Sequence, residues 1–216
     1  MEILKVTPVK KNSNGASKKN LNRVIRIAIK AIREGKVLVC PTDTVYGLLA
    51  DATNEKAVKK IFRIKKRESK KPIPIFVKDL KMAKQVAEID KRKEMILKKL
   101  WPGKITAVLK KKKGIKLFGV ASKTIALRVL DYKLVNILLS KLNKPLTGTS
   151  ANISGKPAST KIKEVISQFK NKKDLPDLIL SVCNLKKSLA STVIDLTRNK
   201  PKILRKGELK ISNFKL

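Results

Sequence analysis

Residues 21–41 read LNRVIRIAIKAIREGKVLVCP. Leu21, Val24, Ile25, Ala28, Ile29 and Ile32 recur at the three-and-four spacing that lines one face of an α-helix. Asn20 suits the N-cap and Gly35 the C-terminal stop. The period then changes. Val37, Leu38, Val39 and Cys40 form an unbroken apolar run that Pro41 ends, the pattern of a short buried strand.

The alternation continues along the chain. Ala57, Val58, Ile61 and Phe62 form a second helical stripe behind a Thr53-Asn54 start. Residues 73–77 read as a strand that Pro72 and Pro74 place at an edge or bulge. Residues 79–100 supply one or two helices, and 132–142 and 160–169 one each. Strands are expected at 105–109 and 124–129 around a lysine-rich loop (110–116), then at 145–149, 178–182, 192–196 and 202–204. There is no internal repeat and no Gly/Ser linker. Strands and helices mixed over the whole length predict one α/β domain: a single twisted mixed sheet with surrounding helices and a positive concave cleft. Residues 1–20 are polar and basic and read as an N-terminal arm or first strand; 21–207 form the domain and 208–216 a C-terminal tail.

Composition excludes several chemistries. The chain has no histidine, so no imidazole base and no His-ligated metal is available. Cys40 and Cys183 lack a CxxC spacing and read as free thiols of a reducing cytosol. No apolar run approaches the ~20 residues of a membrane span, and no signal peptide is visible, so a cytoplasmic protein is expected. Aromatics are 4% of residues, too sparse for a base-stacking platform. The formal net charge is +37, and 44 of the 53 cations are lysine. Lysine, isoleucine and asparagine are used heavily together, a pattern that an AT-rich genome produces as readily as selection for polyanion binding, and the sequence does not separate the two. Either way the field attracts RNA, ATP and acidic surfaces.

Four loops interrupt apolar strands with polar residues. Residues 41–48 (PTDTVYGL) place hydroxyls at the end of a buried strand, where open α/β sheets bind ligands. Residues 65–72 (KKRESKKP) are a basic run after a helix. Residues 147–155 (TGTSANISG) combine small residues and hydroxyls, which lets backbone N–H groups approach an anion, yet no Gly-Lys-Ser/Thr closes a Walker A loop. Residues 190–195 (ASTVID) precede ILRKG at 203–207. Arg128 sits inside an apolar strand, which is costly unless it is paired or faces a cleft. Asp43 and Asp195 read as structural, Tyr46 and Trp101 as packing.

Together these phrases resemble the YrdC family, the threonylcarbamoyl-AMP synthases of tRNA modification. PTDTVYGLLADA (41–52), KKR (65–67), WPG (101–103), IALRV (125–129), TSANISGKPAST (149–160), STVIDLT (191–197) and ILRKG (203–207) occur in family order. The chain resembles the short, single-domain form. The resemblance implies that Lys65, Arg67, Ser150 and Asn152 are catalytic, and that Lys65, Arg67, Lys71, Thr124, Ser150, Asn152 and Arg205 bind ATP. It assigns Thr44, Arg128 and Ser191 to L-threonine. Lys66 and Lys70 would be solvated surface. The implied reaction joins L-threonine, bicarbonate (or CO2) and ATP, with Mg2+ accompanying ATP and no protein-bound metal. The product would serve N6-threonylcarbamoylation of adenosine 37 in tRNAs reading ANN codons, so implied partners are tRNA or double-stranded RNA and the transferase that receives the adenylate. Leu130 and Lys104 stand where proline is common in the family, Phe76 where longer members often have histidine, and Gly148-Thr149 where Ala or Pro is frequent. The competing reading is a non-synthase relative acting as an RNA- or nucleotide-binding module. A third, the carbamoyl-handling domain of hydrogenase maturation proteins, is disfavoured because their acyl-phosphatase-like and zinc-finger parts are not seen.

Overall fold

A computed structural model describes residues 1–7 and 15–209 of the 216-residue chain. Parts of the expected arm (8–14) and tail (210–216) lie outside the described residues. The chain opens with strand β1 (Glu2–Lys5) and helix α1 (Gly15–Arg33). Asn20 therefore lies inside α1 and is not its N-cap; its Oδ1 accepts from the Thr7 N–H at 3.1 Å. The residues before it (Ala16, Lys18, Lys19) are good helix formers, so the helix extends past the apolar stripe. Gly35, at φ +74°, ends it as expected.

Strands β2 (Leu38–Cys40) and β3 (Gly47–Leu49) then form an antiparallel pair, followed by helix α2 (Glu55–Lys65). Asn54 caps α2 by accepting from the Ala57 N–H. Strand β4 (Ile75–Phe76) leads to helices α3 (Leu80–Val86) and α4 (Lys91–Leu100), capped by Asp79 and Asp90. Strands β5 (Ile105–Lys110) and β6 (Thr124–Arg128) pair antiparallel. Helix α5 (Lys133–Leu142), the short strands β7 (Leu146–Thr147) and β8 (Thr149–Ser150), helix α6 (Ile162–Phe169), and strands β9 (Leu178–Ser181), β10 (Thr192–Asp195) and β11 (Lys202–Arg205) complete the described fold.

The α/β class and the mixed pairing are as expected, but the strands sort into two sheets where one was expected. The first runs β1-β9-β2-β3-β8 and the second β11-β10-β5-β6-β4-β7. The cause is local. Strands β7 and β8 are one chain segment divided at Gly148. β7 pairs with β4 in the second sheet and β8 with β3 in the first. Strand β4 lies between β6 and β7 rather than at an edge; Pro72 and Pro74 are tolerated because they fall outside its two-residue ladder. Strand β3 is unforeseen, because its residues read as part of a polar loop.

Side-chain alternation divides the core. Leu38 and Cys40 face α1 and α5, whereas Val37, Val39, Tyr46 and Leu48 face α2 and α6. The second sheet buries Ile105, Ala107, Ile125 and Leu127 against α3 and α4. Tyr46 and Trp101 pack as expected: the Tyr46 hydroxyl donates to the Cys183 carbonyl at 3.0 Å, and the Trp101 indole N–H to the Ile105 carbonyl at 2.9 Å.

Candidate active site

A cleft of about 220 Å³ opens where the segment through Gly148 passes between the sheets. Its lining carries Lys65, Arg67, Arg128 and Arg205, and no aspartate or glutamate. Four cations without a lining carboxylate define a site for a polyanion or for several anionic groups.

Arg128 ends strand β6 and is 3% exposed. Its Nη2 donates to Asp43 Oδ1 at 2.6 Å, its Nη1 to the Thr44 hydroxyl at 3.3 Å, and its Nε to the Gly103 carbonyl at 2.9 Å. Asp43 does not line the cleft. It compensates the cation from behind, and its other oxygen accepts from the Asp131 N–H at 3.2 Å. A guanidinium has five N–H groups. Three are used, so one hydrogen remains on each Nη, the fork that grips a carboxylate. Burial and the Arg205 cation lower the Arg128 pKa, while Asp43 raises it. The turn at 42–46 holds Thr44 in place: Thr42 Oγ1 donates to the Val45 carbonyl at 2.6 Å and accepts from the Thr44 N–H at 3.1 Å.

Lys65 closes α2 and is 2% exposed. Its Nζ donates to the Ser150 carbonyl (2.6 Å), the Asn152 carbonyl (2.8 Å) and Asn152 Oδ1 (3.1 Å). Asn152 Oδ1 also accepts from the Ser150 hydroxyl, and the Ser154 N–H donates to the Lys65 carbonyl at 2.8 Å. Lys65 is therefore the latch that folds 150–154 around the cleft as well as a cation. Burial, and secondarily the neighbouring Arg67 charge, pull its ammonium down to about 7. Lys66, at φ 48°, ends the helix and turns the chain. Arg67 then reaches back, with Nε on the Lys71 carbonyl (2.9 Å) and Nη2 on the Pro72 carbonyl (3.0 Å), leaving three N–H groups for a ligand.

The third wall is built from β10 and β11. The Ser191 hydroxyl pairs with Thr106 Oγ1 at 2.9 Å, and the Arg205 Nη2 donates to the Ser191 carbonyl at 2.8 Å. Gly207 makes this possible. A Cβ there would lie 2.3 Å from the Ala190 carbonyl oxygen and 2.5 Å from Ser191 C and Thr192 N. Backbone cannot yield as a side-chain tip can, so Gly207→Ala should push β11 off β10 and carry Arg205 from the cleft. The expected result is a stability loss of about 1–3 kcal/mol, as for other overpacked sites, seen in a thermal melt.

Of the ten residues expected at the site, Thr44, Lys65, Arg67, Arg128, Ser150, Asn152, Ser191 and Arg205 line this one cleft. Lys71 and Thr124 do not. The Lys71 ammonium is on the surface with Glu68 Oε1 at 2.8 Å, and the Lys71 carbonyl holds Arg67. Thr124 begins β6 while Arg128 ends it, roughly 13 Å apart along a strand. Lys66 and Lys70 are exposed, as expected. The sequence reading did not single out Ser154, whose buried Oγ has no hydrogen-bond partner among the described residues; Phe76, noted there as a departure from the family pattern, lines the cleft. Ser154 was visible only as one hydroxyl among several in 147–155. Among the described residues no group of three or more His, Cys, Asp or Glu could hold a metal, and no helix is long and apolar enough to cross a membrane.

A two-sheet α/β fold with a cationic cleft at its junction defines a domain built to hold anionic groups, and comparison with known proteins gives its lineage. The Sua5/YciO/YrdC family, described as "Telomere recombination", matches residues 30–207, and the chain belongs to this family. A Methanocaldococcus jannaschii protein provisionally named threonylcarbamoyl-AMP synthase is 36% identical over 192 residues, spanning 89% of both chains. The threonylcarbamoyl-AMP synthase of Pyrococcus abyssi is 37% identical across 88% of this chain, which spans 56% of that protein's length. Among solved structures, P. abyssi Sua5 complexed with L-threonine superposes with a TM-score of 0.84 at 34% identity, covering 99% of this chain and 59% of that one. Escherichia coli YciO gives 0.81 at 25% identity, covering 99% and 98%.

Proposed function

We propose that this chain is an L-threonylcarbamoyladenylate synthase, a nucleotidyltransferase that converts L-threonine, bicarbonate and ATP into threonylcarbamoyl-AMP and pyrophosphate for tRNA modification. The single observation that carries the reading is the division of cationic groups around one carboxylate-free cleft. Arg128, braced by Asp43 and Thr44, suits an amino-acid carboxylate. Arg67, Arg205 and the Lys65-latched loop suit a triphosphate. The names of the relatives and the threonine held by P. abyssi Sua5 support the same substrates.

The threonine amine and bicarbonate first give a carbamate, with loss of water. A carbamate oxygen then attacks the α-phosphorus and the bond to the β-phosphate oxygen breaks, releasing pyrophosphate. The nucleophile is already an anion, so no proton must be removed at the attack, which suits a chain without histidine. The protein's part is positioning and charge neutralisation. Arg67 and Arg205 present their free N–H groups to phosphate oxygens, and Ser150, Asn152 and Ser154 line the same wall. Lys71 and Thr124 are proposed as nucleotide contacts from the family pattern alone. Mg2+ would enter as part of the substrate, on ATP, since no carboxylate lines the cleft.

Incubation with ATP, L-threonine and labelled bicarbonate should give a labelled threonylcarbamoyl-AMP, identified by chromatography and mass. RNA retention without that product would point instead to a binding module.

A further inference from the structure

Helix α1 carries a cationic stripe that the cleft does not use. Lys19, Arg23, Arg26, Lys30 and Arg33 are exposed and follow one another at alternate spacings of four and three. That spacing sets them on one face of the helix, in a row about 21 Å long. The opposite face buries Val24, Ile25, Ala28 and Ile32 with α5, on the side of the first sheet away from α2, so the stripe lies across that sheet from Lys65. Arg26, Lys30 and Arg33 share a groove of about 630 Å³ with Lys141 of α5. The stripe works against its own helix. Each neighbouring pair in it is a like-charge pair, which destabilises a helix. Lys18 adds a cation in the first turn, at the positive end of the helix dipole, where no acid accompanies it. The carboxylate beside the groove, Glu34, lies 3.9 Å from Lys30 Nζ but 2.7 Å from Lys36 Nζ. Among the described residues Arg23, Arg26 and Arg33 have no carboxylate partner.

The choice of arginine separates this face from the general positive charge. Lysine supplies 44 of the 53 cations, so composition accounts for lysines anywhere but not for where the remaining nine arginines stand. Arg67, Arg128 and Arg205 line the cleft, Arg63 pairs with Asp174, and Arg92 and Arg198 meet beside the β10–β11 turn. The other three lie on this one face of α1. Their planar forks match phosphate oxygens. None of the exposed large apolar side chains among the described residues lies on α1 or α5, so the face lacks the apolar centre of a protein interface. Neither helix carries an aromatic residue on which single-stranded bases could stack. What remains is a straight row of cations suited to the backbone of a duplex, bound by shape and charge. We infer that the Arg23–Arg26–Arg33 face of α1 is a docking surface for the phosphate backbone of duplex RNA, separate from the cleft. The choice of RNA rests on the proposed role in tRNA modification; the stripe itself does not.

The test is binding of a fluorescent RNA duplex of about 16 base pairs, followed by anisotropy at several salt concentrations. The triple variant Arg23→Gln, Arg26→Gln, Arg33→Gln should bind about 10- to 100-fold more weakly, with a salt slope smaller by about 3. It should form threonylcarbamoyl-AMP as the wild type does. Because it removes like-charge pairs from an exposed face, it should melt no lower than the wild type. Should the triple variant fail to fold, Arg26→Gln alone decides, with an expected slope change of about 1. Two controls separate this face from the rest of the field. Removing three exposed cations of the lysine-rich loop (Lys110→Gln, Lys112→Gln, Lys113→Gln) should weaken binding far less, and Arg67→Ala should leave it nearly unchanged. An equal loss in the loop variant would make the binding a property of net charge, and a larger loss in Arg67→Ala would put the RNA in the cleft; either overturns the inference. So would a wild type that does not bind the duplex, tighter binding of the same sequence as duplex DNA, or a triple variant that loses affinity for polyglutamate but not for RNA. A wild type that binds the duplex through α1 yet makes no threonylcarbamoyl-AMP would refute the proposed function and leave the docking surface standing.

Discussion

Arg128→Ala is expected to cut threonine-dependent turnover by one to three orders of magnitude and to lower the melting temperature. Two costs coincide. Loss of a buried charged contact to substrate is worth ~2–4 kcal/mol, roughly 30- to 1000-fold in kcat/KM for threonine. The same change strands Asp43, whose side chain is 7% exposed against 4% for Arg128, so little solvent screening reduces the penalty. An uncompensated buried charge costs about 3–5 kcal/mol of stability. Arg128→Lys separates the two. Its ammonium can still face Asp43, but it cannot also span Gly103, Thr44 and a substrate carboxylate in one plane. It should keep the fold while raising the KM for threonine more than tenfold, with the KM for ATP little changed. A threonine KM unaffected in folded Arg128→Lys would remove Arg128 from the amino-acid site.

Lys65→Ala is expected to lower turnover by about 10²- to 10³-fold, the range seen when one preorganised donor is removed. It takes away the donor for two carbonyls and for Asn152 Oδ1, so the wall at 150–154 loses its anchor along with a positive charge. The pH dependence follows from the depressed pKa of about 7. Polyphosphate favours the charged ammonium, so ATP affinity should fall as pH rises through 7, and ATP binding above pH 7 should draw in protons. Titration calorimetry in buffers of different ionisation heat would measure that uptake, and Lys65→Met should lack it. For folding, the native state binds fewer protons than the unfolded chain between about 7 and the ordinary lysine value of 10.5. Stability should therefore rise with pH across that window, and below it the burial cost of the charged group is present in full. Proton uptake equal in wild type and Lys65→Met would place the titrating group elsewhere.

Much of this was legible in the sequence because it rests on local rules. The α1–Gly35–β2 handover, the Asn54 start of α2 and the hydroxyl-rich loops all announce themselves within a few residues, whereas the Asp79 and Asp90 caps that divide 79–100 into two helices were not singled out. Eight cleft residues were identified through seven short phrases in family order, with no knowledge of their distances. What was not legible is non-local. The division into two sheets depends on Gly148 letting one strand serve both, and nothing in TGTSANISG states that. That Asp43 compensates Arg128, 85 residues away in sequence, is a tertiary fact. So is the saturation of the Lys65 donors by 150–152, which makes that lysine a latch as well as a charge. Lys71 and Thr124 mark the opposite case, where a family pattern assigned roles to side chains that do not line the cleft.

The central claim is that one cleft binds an amino acid at Arg128 and a triphosphate at Arg67 and Arg205, and joins them through a carbamate. Pyrophosphate release from ATP tests it most directly, measured with threonine and bicarbonate together and with each omitted. The account predicts release that needs both and collapses in Arg67→Ala and in Arg128→Lys. Release that proceeds without threonine, or none under any of these conditions, would contradict it.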